Sequence, residues 1–179
     1  YEKQKKYTSF IKNSRMVEIL LSTYNGDKFL NEFLNSLLSQ SYKNWKLIVR
    51  DDGSKDKTIE ILESFSRKYQ EKVEIIKDNV GNLGPWKSFF YLLEHSKGKY
   101  VMFADQDDVW LPNKIEITLN KMIFSENIFG KNHPILIHTD LKLADEKLNN
   151  IAESFWQYQN LNPEHKTLNY LLVQNNVTG

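Results

Sequence analysis

The sequence has 179 residues, 40% of them hydrophobic, and its formal net charge of +1 gives none of the strong positive field that nucleic-acid binding requires. Because it contains no cysteine, disulfide bonds, zinc–thiolate sites and thiol catalysis are excluded. No segment approaches the roughly 18 consecutive apolar residues of a membrane span, and without a signal peptide we expect a cytoplasmic protein. A chain of this length fits one α/β domain.

The two ends of the chain differ in character from its middle. The first 15 residues predict a solvated basic arm, or residues added for expression, with cationic side chains at Lys3, Lys5, Lys6, Lys12 and Arg15. The same charges could bring the protein to an anionic membrane surface, such as the inner face of the membrane. Residues 16–179 make up the predicted domain, whose abrupt apolar ending indicates a truncated carboxy terminus.

Short apolar runs alternate with amphipathic segments through the domain. The predicted strands cover residues 17–22, 45–50, 73–77, 100–104 and 134–139. Apolar residues at helical spacing predict helices over residues 30–38 and 61–69, around residues 89–93, from Leu111-Pro112 onward, and over residues 167–175. A turn is predicted over residues 145–150.

This alternation predicts an α/β fold of Rossmann-like type, with a mainly parallel sheet and helices on both faces. Ligands of such sheets bind beyond the carboxyl ends of the strands. Polar clusters follow four predicted strands: Thr23-Tyr24-Asn25, Asp51-Asp52, Asp105 to Asp108, and Asp140. One acidic loop would be a turn, whereas several at one sheet edge predict an active site.

The cluster Asp105-Gln106-Asp107 follows the apolar strand YVMFA directly. In an extended segment the side chains at i and i+2 point to the same side, so both carboxylates could bind one hard divalent cation. Such a cation could also bind two phosphate oxygens of a departing diphosphate. The alternative is a helix-entry turn in which Asp108 caps the next helix.

The other clusters are compatible with nucleotide binding and equally with ordinary turns. A carboxylate of Asp51 or Asp52 could accept hydrogen bonds from a base or a ribose, and Tyr24 could stack on a base. The loop 79–84, which ends at Gly84, could let the backbone approach a nucleotide, although it lacks the spacing of a dinucleotide fingerprint or a P-loop. Trp110, next to the acidic motif, could line a sugar pocket, and otherwise belongs to the core.

Three blocks together resemble the inverting family 2 glycosyltransferases with the GT-A fold: residues 20–58, 78–89 and 100–115. Their order and spacing make the resemblance more specific than any single motif. The sequence motif DQDDVW and the later sequence IHTDLKLADE resemble those of the bacterial rhamnosyltransferase-like branch, whose members build surface polysaccharides.

The resemblance implies a nucleoside-diphosphate sugar donor, linked to UDP or dTDP, with Mg²⁺ or Mn²⁺ as cofactor and a glycan or lipid-linked glycan as acceptor. Thr23, Tyr24 and Asn25 would border the nucleobase pocket, Asp51 would contact the base, Asp52 the ribose, and Gly84 the nucleotide. Asp105 would contact the ribose or the metal's water shell and Asp107 would bind the metal, while Asp108, Trp110 and Asp140 would face the sugar or acceptor.

Inverting transfer also needs a general base to deprotonate the acceptor hydroxyl. The resemblance places that base in a block beyond Gly179, and Asp140 is the weaker candidate within the chain. A catalytically incomplete nucleotide-sugar-binding module, acting as a scaffold or partner, is therefore the alternative function. A nucleotidyltransferase is a third reading, which the loop STYNGDK disfavours because such enzymes usually have a Gly-rich, Arg/Lys-containing loop there.

Overall fold

The fold is taken from a computed structural model, in which residues 15–164 and residue 177 are described. Apart from Arg15, the predicted arm lies outside the described residues, as does the predicted helix over residues 167–175. The chain divides into two compact units, Tyr1–Leu119 and Asn120–Gly179. Within the described residues no helix is long and apolar enough to cross a membrane.

The first unit is built on a four-stranded parallel sheet in the order β3-β2-β1-β4. Its elements along the chain are β1 (Val17–Thr23), α1 (Leu30–Leu38), β2 (Trp45–Asp51), α2 (Thr58–Lys68), β3 (Val73–Ile75), α3 (Pro85–His95) and β4 (Tyr100–Ala104). Helix α4 (Lys114–Phe129) follows and continues into the second unit. The α/β architecture and its parallel sheet confirm the predicted fold class.

The apolar sequence of β1 explains its central place in the sheet. Ile19, Leu20 and Leu21 are all fully buried, as expected for a parallel strand that is covered on both faces. Helix α1 buries one stripe at the spacing i, i+3, i+4 and i+7, formed by Leu30, Phe33, Leu34 and Leu37. Burial of each such side chain stabilises the fold by about 1.5–3 kcal/mol.

The clearest differences from the predicted elements are the end of β3, the start of α4 and the segment of residues 134–139. β3 ends at Ile75 rather than at residue 77, where the chain turns into the loop that carries Asp78. α4 begins at Lys114, because Pro112 lies in a turn closed by a hydrogen bond from the Lys114 N–H to the Leu111 carbonyl. The predicted strand over residues 134–139 is wrong: this segment is irregular. Its short apolar run, Ile135 to Ile137, resembles a strand, but Pro134 has no N–H to donate to a ladder.

The second unit contains a short antiparallel hairpin instead of a fifth parallel strand. β5 (Leu143–Ala144) pairs with β6 (Asn150–Ala152). The predicted turn between them is confirmed: the Asp145 N–H donates to the Asn149 carbonyl at 3.0 Å, and Leu148 has a positive φ of 61°. A one-turn helix, α5 (Phe155–Tyr158), follows, and the Ser154 hydroxyl caps it by accepting the Gln157 N–H at 3.0 Å.

Candidate functional site

Three of the four predicted polar clusters lie at neighbouring strand ends in the first unit. β1 is paired with β2 on one side and with β4 on the other, and its last residues align with Asp51 and Ala104. The loops that follow these three strands therefore leave the same edge of the sheet side by side. Asp140 belongs to the second unit and is considered separately below.

The loop after β1 is held by side chains from other segments. Each of its four consecutive N–H groups donates to one such side chain: Tyr24 to Gln106 at 3.0 Å, Asn25 to Ser54 at 2.8 Å, Gly26 to Thr58 at 2.8 Å and Asp27 to Asp56 at 3.0 Å. This network fixes the backbone while the Tyr24 side chain stays 50% exposed. The aromatic ring is therefore accessible to a ligand at the sheet edge.

The carboxylate of Asp51 organises the end of β2. One oxygen accepts the N–H groups of Gly53 at 3.1 Å and Ser54 at 2.8 Å, and the other accepts the hydroxyls of Ser54 at 2.6 Å and Thr23 at 2.9 Å. A carboxylate has about four lone-pair sites, so these four bonds use its capacity. Asp51 thus shapes the loop directly, and its predicted contact with a base stays a prediction.

Asp52 points into the protein and is 3% exposed. It accepts hydrogen bonds from the Leu83 N–H at 2.7 Å, the Gly84 N–H at 2.8 Å and the Arg50 guanidinium. Burial by itself would raise the pKa of Asp52, but these donors together hold it below the ordinary value. Asp52 and Gly84 therefore join the end of β2 to the loop before α3, and their predicted nucleotide contacts remain untested.

Arg50, which the sequence analysis missed, is the centre of this region. Its side chain is 1% exposed and donates to both Asp52 and Asp78, the latter at 2.8 Å from Nε. It also donates to the Gly81 carbonyl at 2.7 Å. A cation directly after the apolar run Leu47 to Val49, followed at once by Asp51 and Asp52, was the available signal.

A cavity of about 330 Å³ lies beside Asp51. Apolar side chains from α2 and from β3 and its following loop form much of its lining, and polar groups complete it: Ile59, Leu62, Ile75 and Ile76, with Asp51, Gly53, Glu63, Lys77, Asp78 and Gly81. A mainly apolar cavity with a few polar groups is the usual form of a small-molecule site.

The acidic motif forms a turn rather than the extended segment that its sequence suggested. Gln106 and Asp107 occupy the turn, which is closed by a long hydrogen bond of 3.4 Å from the Asp108 N–H to the Asp105 carbonyl. The argument that side chains at i and i+2 share one face of an extended chain therefore does not apply here. The carboxylates are brought together by the turn instead.

The carboxylates of this turn repel one another, and burial and this repulsion together raise the pKa of Asp105 and Asp108. Burial raises the pKa of Asp105, and the neighbouring Asp107 carboxylate raises it further. Burial and the carboxylates of Asp105 and Asp107 also raise the pKa of Asp108, while the positive charge of Lys114 lowers the pKa of both groups. A bound cation would relieve this repulsion.

The donor set of the turn suits Mg²⁺ or Mn²⁺, which prefer oxygen ligands. In the described part of the chain, no group of three or more acidic or histidine side chains is arranged to hold a metal ion. The protein would then supply one or two carboxylates, and phosphate and water oxygens would complete the coordination, which is the usual arrangement for Mg²⁺ at phosphate sites.

Trp110 is packed in the core, as the alternative to a sugar-pocket role expected, and its predicted contact with a sugar stays a prediction. It is 3% exposed and packs edge-on against Phe33 of α1, with ring centroids 5.9 Å apart. The backbone N–H of Trp110 donates to the Ser36 hydroxyl at 3.1 Å, and the side chain of Gln40, just after α1, donates to the Leu111 carbonyl at 2.8 Å. Trp110 therefore supports the acidic turn from inside the protein.

In the second unit, Asp140 ties the hairpin to α5. Its oxygens accept the N–H groups of Leu141 at 2.8 Å and Trp156 at 3.1 Å and the hydroxyl of Ser154 at 2.5 Å. Burial acts to raise the pKa of Asp140, but these hydrogen bonds lower it overall. A general base works best with a pKa near the working pH, so this arrangement favours a structural role for Asp140.

Comparisons with known proteins agree with this geometry. Residues 18–170 match the family model described as Glycosyl transferase family 2. A glycosyltransferase of Haemophilus influenzae is 34% identical over 139 residues, which cover 78% of this chain and 52% of that protein. The UDP-Glc:alpha-D-GlcNAc-diphosphoundecaprenol beta-1,3-glucosyltransferase WfgD of Escherichia coli is 30% identical over 109 residues, covering 60% of this chain and 41% of WfgD.

Among solved structures, residues 1–349 of Staphylococcus aureus TarS in complex with UDP-GlcNAc match with a TM-score of 0.51 and 30% identity. The match covers 62% of this chain and 31% of that one. The parallel sheet of this chain and its likeness to the TarS structure define its fold as that of a GT-A glycosyltransferase domain. The chain belongs to glycosyltransferase family 2, and it spans between about a third and a half of the length of these relatives.

Proposed function

We propose that this chain is the donor-binding part of an enzyme that transfers a sugar from a nucleoside-diphosphate sugar to a hydroxyl of a glycan or lipid-linked glycan, with inversion and with help from a divalent metal. The observation that carries the proposal is that the ordered loop of residues 24–27 and the acidic turn of residues 105–108 lie at adjoining strand ends. An exposed aromatic and a cluster of carboxylates are thereby available to one ligand.

UDP is the favoured nucleotide over dTDP. The name of WfgD includes UDP-Glc as donor, and the matching TarS structure contains UDP-GlcNAc. We propose that the base binds between Tyr24 and the cavity beside Asp51, where an aromatic face and a lining that combines apolar and polar groups are both present. Thr23 and Asn25 support this pocket through their bonds with the β2–α2 connection.

Asp107 and Asp105 are the proposed ligands of Mg²⁺ or Mn²⁺. When bound, the metal would hold the diphosphate and neutralise the charge that develops on it as the sugar leaves. Asp108 faces the same charge cluster and is proposed to orient the sugar, while Lys114 offsets part of the negative charge of the turn.

The proposals for the acceptor and the general base come from a relative's name and from the family resemblance. A lipid-linked acceptor is suggested by the diphosphoundecaprenol in the name of WfgD, whereas rhamnosyl transfer is supported by the DQDDVW and IHTDLKLADE sequences alone. We propose a base from beyond Gly179. The alternative, a module that binds donor without transferring sugar, is favoured by the hydrogen bonds that occupy Asp140.

Calorimetric titration of UDP and dTDP, with Mn²⁺ and then with EDTA, tests the proposed donor site. We expect UDP to bind more tightly when Mn²⁺ is present, and Asp107→Asn to remove that metal-dependent gain. Glu94→Gln is the matched control because it removes one exposed carboxylate from α3, away from the acidic turn. Absence of UDP and dTDP binding under both conditions would refute the proposal. Metal-dependent binding that survives in Asp107→Asn would remove Asp107 from the metal role.

A further inference from the structure

Gln106, the middle residue of the acidic motif, connects the turn after β4 to the loop after β1. The paired register of β1 and β4 ends at Leu21 and Ala104. Beyond that point the Gln106 side chain accepts the Tyr24 N–H at 3.0 Å and donates to the Tyr24 carbonyl at 3.0 Å. The amide group therefore binds Tyr24 as a backbone peptide of a neighbouring strand would.

Gly26 leaves the space that this contact requires. A Cβ atom on Gly26 would lie 2.2 Å from Oε1 and 2.4 Å from Cδ of Gln106. Gly26 is not among the described residues with a positive φ, so its backbone conformation does not demand glycine. Because the amide of Gln106 is held at both ends by Tyr24, it cannot move away from a Cβ without losing those bonds. The absence of a side chain at Gly26 is thus explained by Gln106.

The remaining hydrogen bonds of the loop after β1 come from the segment that follows β2, on the side of the loop away from β4 in the sheet order. The N–H groups of residues 25–27 are held by the connection between β2 and α2, through Ser54, Thr58 and Asp56. Gln106 instead brings the loop into contact with the turn that carries Asp105 and Asp107. The loop proposed to hold the nucleotide and the turn proposed to hold the metal are therefore joined directly through the Gln106 side chain.

We infer that Gln106 is a positioning residue that couples nucleotide binding to metal binding, and this inference rests on the proposed function. Because Gln106 joins the two segments, a ligand that favours the binding position of one segment also favours that of the other, so the two ligands bind cooperatively. Such coupling is reciprocal and commonly amounts to about 5–150-fold in affinity. Without the link, each ligand would still bind its own segment but would gain less from the other.

The first test measures the gain in UDP affinity that Mn²⁺ provides. Gln106→Met keeps the length of the side chain and removes both hydrogen bonds to Tyr24. We expect the manganese-dependent gain to fall by about tenfold, a typical size for coupling between sites, with little change in the weaker affinity measured in EDTA. The control is Gln70→Met, the same substitution at an exposed glutamine, which should retain the full gain.

A second test examines the contact itself without any ligand. Gly26→Ala should lower the midpoint of thermal unfolding in the wild-type background, because its Cβ displaces the Gln106 amide. In a Gln106→Ala background the displaced atoms are absent, so the same Gly26→Ala change should have little effect. Equal effects in both backgrounds would show that the two residues do not interact, and would overturn the inference.

The outcomes separate this inference from the proposed function. A wild-type chain that shows no manganese-dependent gain in UDP affinity overturns both the proposed metal role and the coupling. A wild-type gain that is retained fully in Gln106→Met overturns the coupling alone. A gain that is reduced in Gln106→Met and in Gly26→Ala, with unfolding effects that are non-additive between the two positions, supports it.

Discussion

Arg50 and Asp52, two positions apart in the chain, form an ion pair whose side chains are only 1% and 4% exposed. Asp78 joins the same guanidinium from the loop after β3, at 2.8 Å. One buried cation is therefore shared by two carboxylates. Because β2 ends between Arg50 and Asp52, this group fixes the direction in which the chain leaves the sheet and holds the loop before α3 against it.

Replacement of Arg50 by Met should destabilise the protein strongly. Both carboxylates would lose their buried partner, and breaking a buried pair from one side typically costs about 3–5 kcal/mol. Urea denaturation would measure the free energy of unfolding. Lys46→Met is the control on the same strand, since Lys46 and Glu74 form a partly exposed pair that should contribute about 0–1 kcal/mol. Equal losses in the two variants would contradict a special role for Arg50.

The stability contributed by Asp78 should depend on pH. Burial would raise the pKa of Asp78, but the Val80 N–H and the Arg50 guanidinium lower it overall. A carboxylate with a lowered folded-state pKa stabilises the protein above the unfolded value of about 3.9, and the contribution is lost as the pH falls through the folded value. The difference in unfolding free energy between wild type and Asp78→Asn should therefore be largest at neutral pH and shrink below about pH 4. A difference that stays constant down to pH 3 would contradict this.

The sheet was predictable because its strands are nearly continuous apolar runs, as in β1, where Ile19 to Leu21 are fully buried. The same criterion failed for residues 134–139, since a short apolar run does not specify whether a neighbouring strand is available. Arg50 and Gln106 were missed for a related reason. Their partners Asp78 and Tyr24 lie 28 and 82 positions away, and a local pattern carries no information about such pairs.

Substitutions of Trp110 should lower the stability of the fold and leave the affinity for the nucleotide unchanged. Trp110→Ala removes a buried ring that packs on Phe33, and such truncations cost about 3–5 kcal/mol. Trp110→Phe keeps most of the packing, so the folded variant should bind UDP within about twofold of wild type. Thermal unfolding and calorimetry on the same samples would separate the two effects. A large loss of UDP-GlcNAc affinity in a stably folded Trp110→Phe variant, with UDP affinity unchanged, would support the predicted sugar-pocket role.

Asp51→Asn should weaken binding of the nucleoside part of the donor without changing the contribution of the metal. Asn retains one carbonyl oxygen but cannot accept all four hydrogen bonds that Asp51 accepts from Thr23, Gly53 and Ser54, so the loop beside the cavity loses its anchor. Loss of charged hydrogen bonds predicts about 1–3 kcal/mol weaker binding of UMP in EDTA.

The control for this variant is Asp145→Asn, which changes an exposed carboxylate in the hairpin of the second unit. It should leave UMP affinity unchanged. The Mn²⁺-dependent gain in UDP affinity should be the same in Asp51→Asn as in wild type, because the acidic turn is held by Gln106 and by α1 rather than by Asp51. Unchanged UMP affinity in Asp51→Asn would place the nucleobase elsewhere on the sheet edge. A reduced manganese gain would instead show that the end of β2 also positions the metal ligands.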